Sequence, residues 1–440
     1  MTDHPDVQSR HALESHFELR LLSEKTFSHT RIPRHGIALL QALQFSDPDS
    51  QELPHLTTPE WDALLELCDE TQLTLLVGDL CRAALPDWVR TRIDQNYLDN
   101  ARRFARLRKE LLELAESLSA HSIEFALLKG FSHFPDFCPH PLLRAQGDID
   151  IWCLPERISE ARDALTAIGY RAIGVSESRH LAPMIRETRW DWRRDYFAPD
   201  LPIPVDLHYQ LWDAEREYLP GPSEKEVWHR RSEIFSDGCP LPALDLADTL
   251  AFAALHLLMH LLHGDVRLQR AWEIAFFLDS HTSDTKFWHR WQTLYSSRVR
   301  ELQLVIFALA RRWFSCSVPP LIADEFEALP DDIRLWIEKY GLSPIEGLFV
   351  PNKDELWLNM CLLRSLRAKI HIFFRRLLPV HAADLGRFGE VSGSRRGIAQ
   401  RLSTFCFLLW RAVYHSKTLF PTCLGGLRWY RQLRRLGGRS

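Results

Sequence analysis

The spacing of apolar positions changes twice along the chain. From about Gly36 to Ser119 they recur every three or four residues. Trp61, Leu64, Leu65 and Cys68 form one such series, and Phe104, Leu107, Leu111, Leu114 and Leu118 form another. That period lays an apolar stripe along an α-helix, and Pro54, Pro59 and Pro86 punctuate the helices. After Ser119 the runs shorten. Ile123 to Leu128 is apolar and ends at Lys129-Gly130, which predicts a strand entering a turn, and Gly147 to Cys153 alternates polar with apolar, which predicts a second strand. Pro155 to Ile168 reads as a helix with Ile158, Ala161, Leu165 and Ile168 on one face and Gly169 as its stop. Tyr170 to Val175 predicts a third strand. Arg194 to Phe197 and Pro204 to Tyr209 predict a further pair joined by a turn at 198–202. The helical period returns at Ala243, with Asp245 to Leu262 as one long amphipathic segment and Ala271 to Ser280 as its hairpin partner.

These blocks predict an α+β fold: a small mixed β-sheet core at 120–235, flanked by an N-terminal helical region at 36–119 and a C-terminal helical region at 236–385. A polar N-terminus at 1–35, expected to be partly disordered, and a basic, aromatic helical tail at 386–440 complete the chain.

Charge sharpens this picture. The formal net charge is -4, yet from Cys361 to Ser440 there are 16 Lys+Arg against two acids, Asp384 and Glu390. A basic tail beside an acidic body suggests an anionic partner, either nucleic acid or a membrane face; the plainer arrangement is an Arg-rich surface docked on its own acidic body. The nine cysteines are scattered without a CxxC pair, which argues against a disulfide framework or zinc site. The start, MTDHPDVQSR, has no apolar leader, and no window offers about 18 uninterrupted apolar residues, so no transmembrane helix is expected. The expected location is cytoplasmic, with peripheral membrane contact through the tail as the other placement.

The candidate chemistry lies in the β-rich block. Asp148 and Asp150 are two apart on a predicted strand, so their side chains share a face. Two carboxylates so placed repel unless a cation lies between them, and Mg²⁺ takes hard oxygen ligands of this kind. Asp206 sits in Pro204-Val205-Asp206-Leu207-His208, on another short strand; if that strand lies beside the first, three carboxylates converge. A DxD alone is weak, and solvent-facing strand positions are the ordinary alternative. Two features raise its weight: Ile149, Ile151, Val205 and Leu207 alternate with the acids, and the turn Lys129-Gly130-Phe131-Ser132 precedes them, where backbone N–H groups can approach phosphate.

The runs Phe125-Ala126-Leu127-Leu128-Lys129-Gly130, Arg144-Ala145-Gln146-Gly147-Asp148-Ile149-Asp150-Ile151, Gly169-Tyr170 and Val205-Asp206-Leu207-His208 together resemble the uncharacterised bacterial nucleotidyltransferase family of the polymerase-β-type superfamily. Leu255 to His260, Arg270 to Ala275 and Phe374 to Pro379 are similar to that family's downstream part, so the resemblance covers roughly Trp61 to Leu378. It implies a nucleotidyltransferase core that transfers a nucleotidyl group from an NTP with Mg²⁺ or Mn²⁺. Asp148 and Asp150 match the DxD metal pair. Asp206 matches the third acid, which also ligates metal and orients or deprotonates the acceptor hydroxyl, and Gly130 matches the phosphate-cradling glycine. The superfamily usually has Gly-Ser or Gly-Gly at this turn, whereas here Phe131 follows Gly130 and Ser132 comes one place later; Lys129 is then a candidate phosphate contact. The resemblance does not supply the acceptor, whether small molecule, peptide or protein.

Other residues carry open alternatives. Arg144 is either a phosphate clamp or a structural partner of Asp148. His208, two beyond Asp206, falls on the same face and is a second-tier site residue. His256, His260 and His263 share a helix face, where packing against the sheet or lining a cleft is a plainer role than metal ligation. Trp190 and Trp192 offer stacking surfaces, with core packing as the ordinary role. Two further functions stay open: a catalytically inactive protein of the same fold that binds nucleotide or a protein partner, and an RNA-binding protein using the basic tail.

Overall fold

A computed structural model of the chain describes residues 30–186, 195–236, 238–377, 417, 418 and 420–435. Trp190, Trp192 and Arg194, and most of the tail at 386–440, lie outside the described residues. The N-terminal helices are α1 (Arg34–Ala42), α2 (Thr58–Thr71), α3 (Thr74–Leu80) and α4 (Asp87–Ala120). Thr57 and Glu60 form a reciprocal capping box at the start of α2. The β-rich block supplies strands β1 (Ala126–Leu127), β2 (Ile149–Trp152), β3 (Tyr170–Ala172), β4 (Met184–Arg186) and β5 (Val205–His208), with helix α5 (Ile158–Ala167) before β3. Strands β6 (Ser232–Ser236) and β7 (Cys239–Ala243) follow, then α6 (Leu246–Leu262), α7 (Leu268–Ser280), α8 (Ser297–Phe314) and further helices. The fold is α+β, as the spacing predicts.

The sheet is mixed, in the order β3-β4-β5-β2-β1-β7-β6. At its centre β2 runs parallel to β5 and antiparallel to β1, and β1 runs parallel to β7. Alternation along the strands gives two faces. On one, Leu127, Ile149, Ile151, Val205 and Leu207 pack with Leu107, Leu111, Leu114 and Leu118 of α4 and with α5. On the other, Ala126, Leu128 and Trp152 pack with Trp228 and with Phe252 of α6. The acids of β2 and β5 share this second face.

Three expectations are corrected here. The antiparallel partner of β5 is β4, through Met184 opposite Val205, and not the segment ending at Phe197. Phe197 instead turns back: its N–H donates to Asp195 Oδ1 (2.9 Å), and its ring packs with Leu75 and Ala145. The third strand is shorter than predicted, ending at Ala172. The β6–β7 hairpin was not anticipated, because Pro240 and Pro242 read against a strand, although Asp237-Gly238 between the two runs is a hairpin signal.

The helical regions, separate in sequence, join in space. Residues of α1, α2, α3 and the first turns of α4 form one apolar core with α6, α7 and α8. Phe45 N–H donates to Phe314 O (2.8 Å) across that junction. Helix α4 has 34 residues, roughly 50 Å; its first half lies in the helical core and its second half on the sheet. The described part of the tail is helical over 420–435, buries Trp429 (4% exposed) in the helical core beside Tyr340, and leaves Arg428, Arg431, Arg434 and Arg435 exposed. Among the described residues no helix is long and apolar enough to cross a membrane.

Candidate active site

Strand pairing brings the acids together. In the β2–β5 register Asp150 lies directly opposite Asp206, and adjacent strands are about 4.8 Å apart. His208, two residues on, falls on the same face, and its Nε2 meets Asp150 Oδ1 at 3.0 Å. Ligand atoms of Asp150, Asp206 and His208 all lie within 4.8 Å of one another, the one such group among the described residues. Asp148 precedes β2 by one residue and is half-buried. Its charge acts on Asp206, but it is not a member of that compact group; His208 stands in it instead.

Electrostatics separate the two central carboxylates. Burial raises Asp150, but Lys129, whose Nζ is 2.9 Å from Oδ1, and His208 outweigh it and hold Asp150 well below the usual carboxylate range. Asp206 has no hydrogen-bonded cation among the described residues, although the charges of His180 and Lys129 act on it weakly. Burial first, then the charges of Asp150 and Asp148, push it up to about 7, and its Oδ1 is buried with no hydrogen-bond partner. Burial also brings His208 down to about 4, leaving a neutral imidazole at neutral pH. Two facing carboxylates, one with an orphaned oxygen, and a neutral imidazole form a donor set that suits a divalent cation. Asp150, Asp206 and His208 would hold it, with Asp148 beside them.

The turn after β1 is built tightly. Gly130 has φ +70°, a left-handed backbone that favours glycine, and a Cβ there would displace the Gln146 amide, 2.3 Å away at Nε2. Gln146 Nε2 donates to Asp148 O (2.7 Å). Ser132 is buried, and its Oγ has no partner. Arg144 does not pair with Asp148: its Nε donates to Glu273 Oε1 (2.6 Å) on α7, and His133 Nδ1 donates to Glu273 Oε2 (3.2 Å). Burial raises Glu273, yet Arg144 and His133 bring it down to about 2.

The histidines of α6 do not form one ligand set. His256 and His260 share a hydrogen bond between their Nε2 atoms (2.8 Å), His260 Nδ1 donates to Asp265 (2.9 Å), and His263 donates to Glu217 (3.1 Å).

One residue that organises the site escaped sequence reading. Arg103 of α4 is 1% exposed. It donates to Gln146 O (3.3 Å) and Gly147 O (2.9 Å) before β2, and to Leu201 O (2.7 Å) before β5. One guanidinium thus staples the loops leading into both acid-bearing strands. The signal was present: Arg103 lies four residues before Leu107, on the apolar stripe of α4, where a charged residue needs a buried partner.

A family model described as an uncharacterised nucleotidyltransferase matches residues 57–315, a span that includes the acid-bearing strands and most of the helical core. No curated protein matches the chain.

Proposed function

Because the chain belongs to the uncharacterised nucleotidyltransferase family, we propose that it is a divalent-metal-dependent enzyme that transfers a nucleotidyl group from an NTP to an acceptor, which is a small molecule, a peptide or a protein side chain. The observation that carries this reading is Asp206 opposite Asp150 on parallel neighbouring strands, with His208 beside them and Asp206 Oδ1 buried without a partner among the described residues. A bound Mg²⁺ or Mn²⁺ supplies charge neutralisation, activation of the attacking oxygen and stabilisation of the leaving phosphate. Asp150 and Asp206 would hold it, assisted by His208 and Asp148. In this reading Asp206 would also orient or deprotonate the acceptor hydroxyl, the role of the family's third acid. Lys129, which here pairs with Asp150 Oδ1, and Ser132, whose Oγ is buried without a partner among the described residues, are the candidate phosphate contacts of the Gly130 turn.

A second reading has its own observation. Lys129 and His208 both sit on Asp150 Oδ1, so an internal cation already answers part of the acid pair. This favours a catalytically inactive protein that binds nucleotide or a protein partner. Titration calorimetry of the four NTPs with Mg²⁺ or Mn²⁺ tests the proposal. Metal-dependent binding to wild type, lost in Asp150→Asn and in Asp206→Asn, is the expected result. Binding that ignores both metal and these substitutions favours the inactive reading; no binding of any NTP by the folded wild type rejects the nucleotidyl assignment.

A further inference from the structure

Two arginines near the acid pair, the buried Arg179 and the half-buried Arg270, each keep a buried Nη1 without a hydrogen-bond partner among the described residues. Arg179 is 7% exposed, and its Nη1 is buried with no hydrogen-bond partner among the described residues. Its place is set by the backbone: Tyr209 N–H donates to Arg179 O (3.0 Å), and the next residue, His180, bridges His208. Arg179 is therefore tethered to the C-terminal end of β5, just past the carboxylate–imidazole group. Arg270 lies on α7, three residues before Glu273, and its Nη1 is likewise buried without a partner. Besides burial, the charges of Glu177 and Glu217 and then, more weakly, that of Asp150 act on Arg179; those of Asp148 and, more weakly, Asp150 act on Arg270.

Neighbouring charges are otherwise engaged. Glu217 and Glu177, near Arg179, meet His263 (3.1 Å) and His180 (3.4 Å). Arg144 and Arg267, near Arg270, are paired with Glu273 (2.6 Å) and Asp265 (2.9 Å). A buried guanidinium with a free N–H group is costly, and an anion with several oxygens is the ligand that matches its fork of donors. Two of them, held on separate elements and both within reach of the charge of Asp150, match a polyphosphate whose own negative charge is shared between cation and arginines.

We propose that Arg179 and Arg270 form a two-armed clamp for the triphosphate of the NTP, with Arg179 presented by the β5 end of the sheet and Arg270 by the helical body. The clamp rests on the nucleotidyl reading, and it joins the two packed units of the fold through the substrate. Sequence inspection does not find it, because Arg179 lies in an irregular segment and Arg270 in an amphipathic helix.

The test uses the full chain with Mg²⁺ and inorganic tripolyphosphate as the probe, beside the four NTPs and free nucleosides. Arg179→Met and Arg270→Met are each expected to weaken tripolyphosphate and NTP binding about 10- to 100-fold, the worth of a charge-assisted hydrogen bond. Mn²⁺ affinity without phosphate, read by electron paramagnetic resonance, is expected to hold. Thermal stability of the ligand-free variants is expected to be unchanged or raised, since no hydrogen-bonded ion pair of either guanidinium exists among the described residues; a purely structural arginine would lower it. Arg179→Lys and Arg270→Lys, which keep charge and bulk, are expected to recover only part of the affinity. Wild-type tripolyphosphate binding that neither Met nor Lys variants weaken overturns the clamp alone. Failure of wild type to bind tripolyphosphate and every NTP overturns the clamp and the nucleotidyl reading together.

Discussion

At the scale of single residues, Asp206 is the group whose surroundings conflict most with folding alone. It faces Asp150 across the strand pair, Asp148 adds negative charge, and Oδ1 has no donor. Replacing it with asparagine removes the cost of a carboxylate without a counter-charge. Asp206→Asn is therefore expected to stabilise the metal-free protein by about 1–3 kcal/mol, the scale of an unsatisfied buried group, while abolishing metal-dependent NTP binding. Denaturant unfolding in chelator, set beside calorimetry with Mn²⁺, checks both halves; a destabilised variant would mean that Asp206 is a structural partner. His208 belongs to the same scale. Read from sequence, it follows the third acid at strand spacing; only its hydrogen bond to Asp150 Oδ1 places it inside the compact group.

At the scale of elements, the site depends on two short strands whose entering loops must stay in register. A four-residue strand such as β2 or β5 has few ladder bonds of its own, and Arg103 supplies the missing constraint from α4. Arg103→Met keeps the apolar stem but strands several buried carbonyls. It is expected to cost about 3–5 kcal/mol and to weaken Mn²⁺ binding, because Asp150 and Asp206 lose their common anchor. Chemical denaturation together with metal titration measures the pair of effects; full stability with full metal affinity would dismiss the staple. The strand pairing itself was only partly legible. Alternation located β2 and β5, but which strand lies beside which is a long-range choice that local spacing does not encode.

At the scale of the whole molecule, the sheet and the helical core are locked by Glu273, which reaches from α7 to Arg144 and His133 in the sheet's loops. Glu273 is displaced from an ordinary 4.5 to about 2. A depressed carboxylate stabilises the fold above its unfolded value and loses that contribution as pH falls through its folded value. The interlock is thus full above about 4.5 and lost progressively toward pH 2. Glu273→Gln is expected to cost about 3–5 kcal/mol at neutral pH, since Arg144 is left buried without its counter-charge. It is also expected to flatten the fall in stability between pH 4.5 and 2. Urea unfolding followed across that range distinguishes this from a general loss, which would leave the slope unchanged.

Local patterning by itself determined the order of helical and β-rich blocks, the amphipathic faces of α4 and α6, and the acids at 148, 150 and 206 as the residues of chemical interest. Helix and strand periods are properties of neighbours in the chain, and a carboxylate at an inward strand position announces itself against its apolar flanks. Only the tertiary structure decided that the N- and C-terminal helices share one core, that β4 and not the segment near Phe197 completes β5, and that Arg144 answers Glu273. It also decided that His208 meets Asp150 and that Arg103 ties together the loops leading into β2 and β5. These are meetings between residues far apart in sequence, settled by which buried charges and apolar faces can be satisfied together, and no local period carries that information.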